Sequence, residues 1–140
     1  MRILIASAAL AFTVDTFAQG VVSSHYPSLK GARDDKVFSR GLLPDVLPPS
    51  THDIEVNYNM KSRVSSGAFR FKAAEYVYIL GLVPACGTPP TPPDSLTGEI
   101  SRLRRGGYTA TTYKNEKAGW VFLCKEKPGV CEYRMWLNPG

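Results

Sequence analysis

Three groups of residues in this chain are of types that could do chemistry. The first is Ser50-Thr51-His52-Asp53, flanked by Asp45 and Glu55, which brings the side chains of a hydrolase site into one short stretch. A nucleophile, a base and an orienting carboxylate must converge from separate elements, and near-adjacent positions on one segment do not generally allow that. The stretch therefore predicts a polar turn, with His52 suited to a pH-dependent contact. A paired-carboxylate mechanism meets the same objection, since Asp45 and Asp53 fall in turns and Glu55 on a solvated strand face. The second group is the three cysteines, Cys86, Cys124 and Cys131. Three thiols allow one disulfide with one left over. Cys124 with Cys131 is the expected pair, because opposite positions of a hairpin meet the short separation that a disulfide needs; a bond from Cys86 to either is the alternative. A catalytic Cys86 would need a base beside it, and its neighbours are Pro84, Ala85 and Gly87. The third group is Arg102, Arg104 and Arg105, followed by Tyr108 and Tyr113, a basic-aromatic cluster able to meet an anionic surface.

Other chemistries lack their residues. There are two histidines, His25 and His52, and no CxxC or HxxxH spacing, so no metal site is expected. No phosphate-cradling glycine loop or dinucleotide fingerprint occurs, and no cofactor is expected. The net charge is +5 with a pI of about 9.2. That balance suits an anionic partner, but without a recognition motif it does not point to specific nucleic-acid binding.

The elements that must position these groups can be read from periodicity. Gln19 to Ser24 reads as a loose arm, and Pro27 to Phe38 as a short helix closed by Gly41. Leu43-Pro44 and Leu47-Pro48-Pro49 set a stiff non-helical connector. Ile54, Val56 and Tyr58 alternate with polar residues, and Phe69 and Phe71 alternate with Arg70 and Lys72; the two runs predict a hairpin turning near Asn59 to Ser62. Ala73 to Leu82 is apolar without strict alternation and reads as a buried helix, with a strand continuing from Phe71 as the alternative. The prolines between Pro84 and Pro93 impose an extended surface loop. A helix capped by Asp94 or Ser95 follows, with Leu96, Ile100 and Leu103 on one face. Tyr108 to Tyr113 is a β-prone run. Gly119 to Lys125 and Val130 to Leu137 frame a hairpin loop at Glu126 to Gly129. Phe122, Cys124, Cys131, Tyr133 and Met135 then share one face, and Val121, Leu123 and Trp136 the other. Large apolar groups on both faces predict a hairpin packed on two sides. The order predicts an α+β fold, a single small domain with a mainly antiparallel sheet and two or three short helices.

The run from Arg40 to Phe71 also carries a resemblance. An aromatic residue (Tyr26), Arg40-Gly41-Leu42-Leu43-Pro44, Leu47-Pro48-Pro49-Ser50-Thr51-His52-Asp53-Ile54 and Phe69-Arg70-Phe71 resemble a group of small exported bacterial proteins, some described as carrying a YbbD-type head domain. Their pattern is RGW-[IL]-P, then LP-x-S-[AT]-x-[DE]-I, then F-x-F, and it covers about residues 24–72. Leu42 stands where that group usually has Trp, and Tyr58-Asn59-Met60 departs from its usual turn. The resemblance implies export and a small α/β domain, and it implies no reaction.

The N-terminus agrees with export. A basic start at Arg2, an apolar run from Ile3 to Phe12 and the small-x-small site Thr16-Phe17-Ala18 have the order of a secretory signal peptide. The apolar run is too short to span a bilayer. Residues 1–18 are thus expected to be removed, leaving one domain over 19–140, periplasmic or secreted, with no transmembrane segment. The functional expectation is a non-catalytic binding or interaction domain of the cell envelope. Its partner would be a protein or an anionic envelope component, met through the 40–58 region (Asp45, Ser50, His52, Asp53, Glu55) or through Arg102, Arg104 and Arg105. The alternative is a small secreted hydrolase using His52 with Asp53, or Cys86.

Overall fold

The computed structural model describes residues 20–82 and 88–138. The signal-like residues 1–18 and Cys86 lie outside the described residues. The elements run β1 (Val21–Ser28), α1 (Leu29–Asp34), β2 (His52–Asn59), β3 (Val64–Arg70), a 3₁₀ turn (Ala73–Glu75), α2 (Val77–Leu80), α3 (Asp94–Arg105), β4 (Thr109–Lys114), β5 (Ala118–Lys125) and β6 (Val130–Leu137). They build one six-stranded antiparallel sheet in the order β1-β2-β3-β6-β5-β4, the α+β architecture expected from the sequence. The sheet has two antiparallel halves, β1-β2-β3 and β4-β5-β6; short turns close β2–β3, β4–β5 and β5–β6, whereas β1 reaches β2 through α1 and residues 35–51. The join between the halves, β3 beside β6, is the one pairing that brings together strands far apart in sequence.

Alternation decides what each face buries. On one face Ile54, Val56, Phe69, Trp120, Phe122, Tyr133 and Met135 form the main core, roofed by Ala32, Val37, Leu43, Leu47, Tyr76 and Ile79. On the other, Val121, Leu123 and Trp136 receive Leu96 and Leu103 of α3. The apolar stripe of α3 and the two-sided burial of the β5–β6 hairpin are both as the sequence implies. The cluster under the amphipathic helix centres on β5 and β6 and takes in Val64 at the start of β3; farther from the helix, β1, β2 and β3 carry His25, Glu55, Asn57 and Arg70.

Several local expectations are corrected. The presumed arm and the start of the presumed helix are strand β1, which runs through Pro27. Pro27 lacks an amide donor, which an edge strand tolerates. The helix α1 is only six residues long, capped by Ser28, whose hydroxyl accepts from the Gly31 amide at 3.2 Å. It stops because Lys36 takes a left-handed conformation (φ 64), well before Gly41. The segment Ala73–Leu82 is one 3₁₀ turn and one α-turn; Ile79 is buried, but Val77, Tyr78 and Leu80 face solvent. The N-cap of α3 is Pro93, with no side-chain cap bond, in place of Asp94 or Ser95.

One polar contact ties α3 to the sheet. Arg134 is almost buried, and its Nε donates to Glu99 at 2.6 Å and its Nη1 to the Tyr133 carbonyl at 2.9 Å. Truncating Glu99 leaves the guanidinium with only Glu132, at 3.5 Å, as a counter-charge. Because Glu99 is itself partly exposed, Glu99→Ala is expected to lower unfolding free energy by about 1–3 kcal/mol in urea titrations. Adding Arg134→Met should recover part of that loss, and a strictly additive double variant would show that the pair is uncoupled.

Candidate functional site

The polar residues singled out from the sequence separate in three dimensions. Ser50 is a latch: its amide donates to Glu75 at 2.8 Å and its hydroxyl accepts from the Lys72 amide at 2.8 Å, fastening the start of β2 to the 3₁₀ turn. That contact holds the Glu75 carboxyl below its ordinary pKa. His52 turns its Nδ1 to the Ser50 carbonyl, 2.8 Å away. Asp53, in a left-handed conformation (φ 52) at a bulge, turns instead to His25 Nε2 on β1 at 3.2 Å. Asp45 pairs with Arg33 at 2.7 Å in the loop after α1. The sequence neighbours His52 and Asp53 therefore serve different partners and form no relay.

Asp53 and Glu55 do meet a shared groove of about 320 Å³, with His25, Arg70, Ala68, Phe69 and Val130. It holds a base beside carboxylates, and no Ser, Thr or Cys is among the described residues that line it. Among the described residues, no group of three His, Cys, Asp or Glu is arranged to hold a metal ion. Arg102, Arg104 and Arg105 project from the last turn of α3, exposed, where they complement the helix dipole. Cys124 and Cys131 face each other across β5 and β6 and are joined, as expected.

A better-formed hollow lies on the opposite face, under the connector that follows α1. There the loop Arg40-Gly41-Leu42 stands over β1, β2 and β6 and closes a cleft of about 410 Å³. Its apolar walls are Val22, Leu42, Val56, Met60, Met135 and Leu137, with the rings of Tyr26 and Tyr58, the Ser24 hydroxyl and one cation, Arg40. The loop is held in place at Leu42. Leu42 donates its amide to the Val37 carbonyl at 3.1 Å, and its own carbonyl accepts the Trp120 indole N–H at 3.2 Å. The floor is low because β3 places Ser65 between Tyr58 and Met135, both of which line the cleft. Ser65 Oγ is buried there. At the loop's inner flank the Tyr26 hydroxyl donates to the Asp35 carboxylate; burial, first, and this acidic partner, second, raise the Tyr26 pKa.

The 40–58 segment thus contributes Arg40, Leu42, Val56 and Tyr58 to the cleft, whereas its acids and His52 lie elsewhere. Reasoning from sequence weighted the polar side chains of that segment and passed over the apolar ones. Strand alternation marked Val56, Tyr58 and Met135 as inward-facing, but the hollow among them depends on β6 lying beside β3.

Residues 20–70 match the family model described as the YbbD head domain. That span contains β1, α1, the Arg40–Leu42 loop, β2 and β3, so it supplies every wall of the cleft except Met135 and Leu137. No curated protein and no solved structure matches the chain.

Proposed function

We propose that this chain is an exported, non-catalytic binding domain of the bacterial cell envelope, and that the cleft beneath Arg40–Leu42 is its ligand site. The observation that carries the reading is the cleft: a concave, mainly apolar space of about 410 Å³ with few polar groups, the usual make-up of a small-molecule pocket. It is built mostly from the segment that matches the family model. Binding without catalysis fits its walls, which carry one hydroxyl, two phenols and a guanidinium but no imidazole, thiol or carboxylate. Export is supported by the signal-like residues 1–18 and by the Cys124–Cys131 disulfide, a bond that persists in oxidising compartments. Among the described residues, no helix is long and apolar enough to cross a membrane.

The test is binding of the neutral fluorophore Nile red to the folded protein. One saturable site is expected, and it should vanish in Val22→Trp. Val22 is 36% exposed on the edge strand β1, so an indole there fills the cleft while suiting the strand. Circular dichroism would verify that the variant is folded. Undiminished binding in folded Val22→Trp places the dye elsewhere and removes the support for this site.

A further inference from the structure

Resting on that cleft, we propose that its ligand is a single acyl chain ending in a carboxylate, with Arg40 holding the head group. Arg40 is the only charged residue among the described residues that line the cleft. It is also fixed before any ligand arrives: Nε donates to the Lys36 carbonyl at 3.3 Å and Nη2 to the Asp35 carbonyl at 3.2 Å. The nearest acid, Asp35, forms an ion pair with it but no side-chain hydrogen bond. Its carboxylate accepts from Tyr26 and lies 3.8 Å from Nη2, beyond hydrogen-bonding range. Nη1 has no acceptor among the described residues, and the side chain is 53% exposed. A guanidinium positioned by carbonyls, with donors to spare at the rim of an apolar space, matches a carboxylate.

The remainder of the cleft selects the body of the ligand. Met60 and Met135 are unbranched and adaptable, suited to a flexible chain, and Val22, Val56 and Leu137 complete an aliphatic wall. The volume is near the lower end of the range for small-molecule pockets, about 300–1,000 Å³, which favours one chain of medium length over a two-chain lipid. A singly charged head group suits this one guanidinium, already shared with Asp35 at 3.8 Å, better than a doubly charged phosphate does.

The experiment is calorimetric titration of the protein with decanoate and, separately, with decanol, both below their aggregation limits. Decanoate is expected to bind at one site about tenfold more tightly than decanol. Arg40→Gln should abolish that preference, bringing decanoate down to the affinity of decanol for the same variant, and folded Val22→Trp should bind neither. Equal affinities in the unaltered protein, or a preference that survives Arg40→Gln, overturns the charged-head assignment and leaves the cleft standing. Failure of both probes to bind overturns the cleft reading itself.

Discussion

Gly67→Ala is expected to lower unfolding free energy by about 3 kcal/mol or more, or to prevent folding outright. Gly67 sits on β3, pairing with Val56 on one side and Tyr133 on the other. A Cβ there would lie 1.9 Å from the Glu55 carbonyl oxygen and 2.8 Å from the Tyr133 ring. The first collision is with backbone of a paired strand, so no rotamer change relieves it. The second is with a fully buried phenol, whose pKa is pushed strongly upward by that burial. Glycine is needed because the Glu55 carbonyl and the Tyr133 ring together occupy the space a side chain would take. Relief requires β2 and β3 to part, next to the floor of the cleft. Gly98→Ala is the matched control: nothing lies within 4 Å of a Cβ at that exposed position inside α3. It should stabilise by about 0.5–1 kcal/mol, the difference between the two residues in a helix. Urea unfolding of both variants decides the matter. A Gly67→Ala protein within 0.5 kcal/mol of its parent, about the spread of a neutral surface change, would contradict the close β2–β3–β6 packing.

The same strand explains what the sequence could and could not reveal. Period-two alternation and turn chemistry are local, so β2, β3, β5 and β6, their inward residues and the Cys124–Cys131 register could all be read directly. The apolar stripe of α3 was equally plain. The errors fell where local signals conflict with tertiary pairing. Val21 to Ser28 carries serines, a histidine and a proline, which read as arm and helix start; the segment is a strand because the free edge of β2 offers it a ladder. Val77, Tyr78 and Leu80 look like core by hydrophobicity, yet a single helical turn can bury only one side, and Ile79 and Tyr76 take it. The candidate site suffered most. Side chains capable of chemistry are conspicuous in a sequence, whereas a cleft exists only once β6 has docked on β3 and the Arg40–Leu42 loop has been pinned by Trp120, contacts between residues far apart in the chain.

Removing the disulfide as Cys124→Ala/Cys131→Ala is expected to lower stability by about 2–4 kcal/mol. The two cysteines are seven residues apart, and closing so short a loop contributes about 2–3 kcal/mol on the loop-entropy account. The rest comes from packing, because both sulfurs are buried among the core residues of β3, β5 and β6, with Cys131 paired to Phe69. That burial gives the prediction a kinetic side. A reductant cannot reach either sulfur in the folded state, so the bond should resist dithiothreitol in buffer and be reduced readily in urea. Iodoacetamide labelling with mass spectrometry distinguishes the cases: one alkylated cysteine, Cys86, in the unreduced denatured protein, and three after reduction in urea. The cleft lies along the same strand, at Met135 and Leu137, four and six residues beyond Cys131. If the main-face core holds that strand without the crosslink, the double-alanine variant will bind Nile red with unchanged affinity at temperatures well below its lowered melting point. Loss of binding together with the disulfide would show that the crosslink sets the cleft's shape as well as the protein's stability.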